Sequence, residues 1–172
     1  MLCECLAAGG MDVVCSPGRD EFAKSHSDLQ YAVNPHGLFE PDFDEMLKPG
    51  WPIQYDGMVV KVVAPFVRRL SIHDYRVAFM RRDSEEIRQS YEASFGAKIT
   101  RQHIDAAVRE ALAQLRNRRD VQDVAELEYP DVIDDPLGAF ERLGWPVNAS
   151  EASARVRSEL YRFRLDRLTV GL

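Results

Sequence analysis

Residues 75–90 read Tyr-Arg-Val-Ala-Phe-Met-Arg-Arg-Asp-Ser-Glu-Glu-Ile-Arg-Gln-Ser, and no other stretch limits the fold as tightly. The apolar run Val77-Ala78-Phe79-Met80 has no polar face, the pattern of a short strand covered on both sides. Two arginines close it. Asp83 then offers an N-cap, with Glu86 three residues on and placed to reach back as in a capping box. A buried strand feeding straight into a capped helix is a β–α unit, and such units assemble into parallel sheets with helices on their faces. Arginines at the carboxyl end of a strand, beside the free N–H groups of a helix start, also make an anion site, with phosphate the expected anion.

The rest of the chain repeats the alternation. Met58 to Ala64 (Met-Val-Val-Lys-Val-Val-Ala) is β-branched and nearly all apolar, so a second doubly buried strand is expected there. Pro65 starts a short helix to Leu70. Thr100 caps a longer helix in which Ile104, Ala107, Val108, Ala111 and Leu115 recur at helical spacing. A strand is expected over Val124 to Tyr129, a helix opening at Asp135-Pro136 and ending at Leu143 before Gly144, and a last helix over Ser150 to Tyr161. Before Met58 the signals are weaker. A helix over residues 1–8 stops at Gly9-Gly10, and Met11 to Val14 is a short strand. Glu21 to Tyr31 is weakly helical, Asn34-Pro35-His36-Gly37 is a turn, and Asp42 to Leu47 allows a turn or two of helix. The expected fold is one α/β domain over residues 1–172, a parallel sheet flanked by helices on both faces.

Composition excludes several function classes. A chain of 172 residues that is 45% hydrophobic and 29% charged can bury a core and is not a disordered tract. Its net charge of −6 opposes bulk nucleic-acid binding, where a basic field dominates affinity. Arg68, Arg69, Arg76, Arg81, Arg82 and Arg88 nevertheless cluster, which suits a compact anionic ligand; for Arg68, Arg69 and Arg88 ion pairing to Asp83, Glu85 and Glu86 is the expected role. No apolar run approaches a membrane span, and Met-Leu-Cys-Glu-Cys-Leu lacks the basic start of a secretory signal. Cys3, Cys5 and Cys15 are an odd, small set that fits a reducing compartment, so a cytoplasmic protein is expected. Cys3 and Cys5 point in different directions on a helix, and His26, His73 and His103 show no ligand spacing with them, so no metal site is expected.

The order of motifs resembles the sulfotransferase family, P-loop-related α/β proteins that transfer a sulfuryl group from 3′-phosphoadenosine 5′-phosphosulfate to a hydroxyl or amine. Leu6-Ala7-Ala8-Gly9-Gly10-Met11 resembles the end of the helix after that family's phosphosulfate loop, and Asn34-Pro35-His36-Gly37-Leu38-Phe39-Glu40 its Asn-Pro-x-Gly-Tyr-Phe-Glu turn. Lys61-Val62-Val63-Ala64-Pro65 resembles its second core strand, and Phe79-Met80-Arg81-Arg82-Asp83 with Ser90 its 3′-phosphate motif. Leu127-Glu128-Tyr129-Pro130-Asp131-Val132, then Asp134-Asp135-Pro136, resembles its late strand and acidic-proline helix start. The resemblance implies that Arg82 and Ser90 bind the 3′-phosphate of the donor, or of adenosine 3′,5′-bisphosphate. Glu40 is then the base that takes the acceptor's proton, with His36 in the same turn a second candidate, and Lys61 a further anion ligand. Between Asp83 and Ser90 a helix rises roughly 10 Å, so a long arginine and a short hydroxyl would approach one phosphate from opposite ends.

One departure bears on activity. The family places a strand and a Gly-x-Pro-Arg-Ser-Gly-Thr-Ser loop directly before the helix matching residues 1–8, and this sequence begins after that point. The expected fold therefore lacks the first strand and loop, and with them the N–H nest that stabilises charge on a transferring group. Three accounts follow: a start further upstream, a strand supplied by another chain, or a fold closed over the loss. Two functions follow as well. One is a sulfotransferase-like protein impaired in this chain alone. The other is a noncatalytic structural component of a larger assembly, such as a virion, with a protein partner or a second copy.

Overall fold

The computed structural model describes residues 1–15 and 43–157. Its centre is a two-stranded parallel sheet, β1 (Tyr75–Arg81) beside β2 (Val121–Glu128). Around it lie α1 (Leu2–Ala8), α2 (Phe43–Met46), α3 (Ser84–Phe95), α4 (Arg101–Asn117), α5 (Tyr129–Asp134), α6 (Pro136–Arg142) and α7 (Ala149–Ala154), with 3-10 segments at Ile53–Tyr55 and Ala64–Arg69. The expected parallel α/β layering is present on a small scale. No described helix is long and apolar enough to cross a membrane.

The apolar run of β1 divides between two cores, as the pleat requires. Val77 and Phe79, with Val121 and Val124, pack toward Val67, Ala111 and Leu115 of the second 3-10 segment and α4. Ala78 and Met80, with Ala125, pack on the other side against Cys5, Leu6, Leu127, Val132, Ala139, Phe140, Leu143 and Ala152. Val121 and Val124 share a face although three residues apart. The register moves from Tyr75↔Val121 to Arg76↔Asp123, so Gln122 is an extra residue that resets the alternation.

Two strand expectations need correction. Met11 to Val14 and Met58 to Ala64 contribute a single parallel bridge, Val13 to Val59, closed by Val14 N–H to the Val59 carbonyl at 2.9 Å and Val59 N–H to the Asp12 carbonyl at 2.7 Å. Met58 and Val63 are 41% and 45% exposed, so this stretch is not buried on both faces. Composition favoured a strand, but a strand also needs a neighbour along its length, and Pro65 at the start of the 3-10 segment ends extension at Val63.

The helix signals hold closely. Asp83 accepts the Glu85 and Glu86 N–H groups at 2.7 and 3.4 Å, and Gly96 closes α3 with φ 63°. Thr100 accepts the His103 N–H at 3.3 Å, and Asp135 accepts that of Gly138 at 3.1 Å. The Gly9-Gly10 stop ends α1 as expected: Gly10 takes the left-handed φ of 91°, and the Gly10 and Met11 N–H groups donate to the Ala7 and Leu6 carbonyls at 3.1 and 3.0 Å, whereas Gly9 has an ordinary φ of −76°. It is needed for space: a Cβ there would collide with the Val147 side chain, while its carbonyl accepts the Asn148 N–H at 2.9 Å. That close approach seats α7 on α1. The helix expected over Ser150 to Tyr161 needs correction: it ends at Ala154, capped by Arg155, and residues 155–157 are not helical. The part beyond residue 157 lies outside the described residues, as do the weak helix at Glu21 to Tyr31 and the Asn34-Pro35-His36-Gly37 turn.

Candidate functional site at the carboxyl end of the parallel strands

Arg82 follows the last residue of β1 and precedes the cap of α3, as the sequence predicts. Its guanidinium is fixed from two sides. Nε donates to Glu86 Oε2 at 2.9 Å, and the guanidinium carbon lies 5.2 Å from the centre of the Tyr129 ring, within cation–π range. The register explains the second contact: Arg81 pairs with Glu128, so the next residue on each strand brings Arg82 and Tyr129 together. The Arg82 and Glu86 side chains are 20% and 5% exposed, which makes this pair the most enclosed ion pair of α3.

Glu86 therefore does not complete the capping box. Its carboxylate turns toward Arg82 instead of the Asp83 N–H, because a guanidinium four residues back is a stronger partner than an amide. Tyr129 donates weakly to the Met1 sulfur at 3.9 Å, and burial raises its phenol above the ordinary range, against the opposing pull of Arg82. Cys5 of α1 lies close enough to act on that phenol, and burial pushes its own thiol up to about 11.

Ser90 lies one turn beyond Glu86 on the same face of α3 and is half-buried. Arg82, Glu86 and Ser90 thus follow one stripe, with the carboxylate between the two residues assigned to the anion. Lys61 is half-buried in the extended stretch between the Val59 bridge and the second 3-10 segment. Glu40 and His36 lie outside the described residues, as does His26. His73 bonds Asp56 through Nε2 at 2.9 Å, and His103 shares a hydrogen bond with Thr100 Oγ1 at 3.0 Å.

The arginines around the site are paired. Arg81 reaches Glu126 and Glu128 at 3.4 Å each, and Arg116 also pairs with Glu126. Arg88 holds Glu85 at 2.5 Å and Glu92 at 2.8 Å, the ion-paired role expected for it, and its bond to Glu85, with a second from Gln89, holds the Glu85 carboxyl down to about 2. A shallow cleft of about 470 Å³, lined by Arg68, Glu110, Gln114 and Arg118, lies instead where α4 ends and β2 begins, at the opposite end of the sheet.

Sequence reasoning located Arg82 and missed its platform. The four-residue spacing of Arg82 and Glu86 permits an ion pair on one helical turn, although a capping box with Asp83 was the role expected of Glu86. The Tyr129 contact depended on strand register, which no local pattern reveals. Chemically, the site is a guanidinium held at the start of a twelve-residue helix, with its charge balanced by the Glu86 carboxylate. No protein-family model, curated protein or solved structure matches the chain.

Proposed function

We propose that this chain is a sulfotransferase-like protein whose Arg82 forms the 3′-phosphate half of a site for 3′-phosphoadenosine 5′-phosphosulfate or adenosine 3′,5′-bisphosphate. The observation that carries the reading is the seating of Arg82 at the carboxyl end of β1, locked by Glu86 and Tyr129 beside the Asp83-capped start of α3. A preorganised guanidinium binds a phosphate without first losing side-chain freedom, and its planar fork matches phosphate oxygens. Ser90 adds a hydroxyl from the same helical stripe, and Lys61 a second cation. On the same reading His36 and Glu40 serve the acceptor side of a sulfuryl transfer.

A second reading has its own support. Arg81, Arg82 and Arg88 all spend charge on carboxylates of the same chain, as expected of a scaffold that serves as a noncatalytic component of an assembly. Calorimetric titration of the chain with adenosine 3′,5′-bisphosphate separates the two. Micromolar binding, weakened about tenfold or more in Arg82→Ala, matches the loss of one charge-assisted hydrogen-bonding group and supports the half-site. Absence of binding by the folded chain refutes the half-site and leaves the scaffold reading.

A further inference from the structure

The cleft at the amino-terminal end of the sheet takes no part in the Arg82 reading, and it carries the charge pattern of a different ligand. It lies between the second 3-10 segment and α4, which are joined through Val67, Ala111 and Leu115 of the smaller core. Arg68 follows Val67 and Glu110 precedes Ala111, so the packing that closes this core brings a guanidinium from one element and a carboxylate from the other to the same opening. Both line the cleft of about 470 Å³, and both line a smaller cavity of about 140 Å³ that adjoins it over Ala64, Pro65, Ala107 and Ala111.

Arg68 departs from the ion-paired role expected of it. Among the described residues it makes no hydrogen bond or ion pair, although Glu110 lines the same two cavities. Glu110 Oε1 accepts the Gln114 side-chain amide at 3.0 Å, and among the described residues Glu110 Oε2 and the Asn117 side-chain amide have no partner. Arg118, the other cation of the cleft, is committed to Asp120 and to the Leu70 and Ser71 carbonyls. An exposed ion pair gains little by closing, which is why Arg68 and Glu110 stand apart at little cost. An anion at Arg68 alone would meet Glu110 as a like charge, and a cation at Glu110 would meet Arg68. A molecule that carries both signs a short distance apart satisfies the two together. The alanine and proline side chains beside them leave an apolar shelf for a slender hydrocarbon body.

We propose that this cleft binds a free aliphatic α-amino acid. The ligand's carboxylate accepts from the Arg68 guanidinium, whose planar fork fits two carboxylate oxygens, with the Asn117 amide as a further donor. Its ammonium group donates to Glu110, and its side chain lies over Ala64, Pro65, Ala107 and Ala111. The inference stands apart from the Arg82 site, which lies at the other end of the strands.

Titration of the isotope-labelled chain with L-leucine at neutral pH, followed by amide NMR, reads the cleft through the Gln114 and Asn117 side-chain signals. Saturable shifts are expected there in about the millimolar range. Isocaproate is leucine without its ammonium group, and isoamylamine is leucine without its carboxylate. Each is expected to bind about tenfold more weakly than leucine, or worse. Each variant should erase one preference. In Arg68→Gln, leucine and isoamylamine are expected to bind alike, and in Glu110→Gln, leucine and isocaproate. Both side chains are exposed, so neither change disturbs the core. A wild-type chain that binds leucine no better than the two analogues, or that shows no saturable shift up to about 50 mM leucine, overturns the proposal. Unchanged leucine affinity in either variant overturns it as well. Tightest binding of isocaproate does the same, since the cleft would then be a plain anion site. None of these outcomes touches the Arg82 reading.

Discussion

Asp120→Asn tests the bracket at the amino-terminal end of the sheet, where the loop before β1 is tied to the start of β2. Arg118 donates to the Leu70 carbonyl at 2.8 Å and the Ser71 carbonyl at 2.5 Å, stacks 5.5 Å from the Tyr75 ring centre, and pairs with Asp120 at 2.5 Å. Asp120 also accepts the His73 N–H at 3.0 Å. The bond from Arg118, with the His73 amide adding to it, holds the Asp120 carboxyl at about 2, against an ordinary 3.8. By linkage such a shift corresponds to about 2 kcal/mol of native stability at neutral pH. The side chain remains 15% exposed, and solvent screening reduces the expected contribution to roughly 1–2 kcal/mol. Because the folded carboxyl is depressed, this contribution is fully present above the unfolded value of about 4 and is lost as pH falls through about 2. Urea unfolding followed by tryptophan fluorescence should place Asp120→Asn roughly 1–2 kcal/mol below the wild type near pH 7, with the gap intact near pH 5 and closing between about pH 4 and pH 2. A gap that stays constant from about pH 7 down to about pH 2.5 would refute the reasoning, as would no gap near pH 7.

Two further outcomes follow from the core. Cys5 is fully buried and its thiol is pushed up to about 11 by burial, against the pull of the Met1 ammonium, so at about pH 8 only some 10⁻³ of it is thiolate. Iodoacetamide should label the exposed Cys15 in the native chain and reach Cys5 only on unfolding, and rapid native labelling of Cys5, read by peptide mass, would contradict its placement. Phe140 is 1% exposed at the centre of the larger cluster, so Phe140→Ala should cost about 3–5 kcal/mol in a urea titration, and a loss under about 1 kcal/mol would mean that core is not packed as described.

The candidate site was legible where its residues are neighbours in sequence. Arg82 and Asp83 announce a strand end and a cap, and both are in place, whereas Glu86, expected to reach back to that cap, pairs with Arg82. The partner choice was not legible. Glu86 had two local options, the Asp83 N–H and the Arg82 guanidinium, and the distances needed to decide between them exist only after the helix sits on the strand. Tyr129 lies 47 positions from Arg82 in the chain and meets it through register alone.

The same division runs through the fold. Capping residues and periodic apolar positions determined α3, α4 and α6, because each helix satisfies its backbone internally and its signals are local. Strands behaved otherwise. Tyr75–Arg81 and Val121–Glu128 became a sheet because each had the other, whereas the more strongly β-branched Met58 to Ala64 kept only the bridge at Val59. A strand's hydrogen bonds go to a neighbour distant in sequence, so composition says which segments can be strands and the tertiary structure decides which of them are.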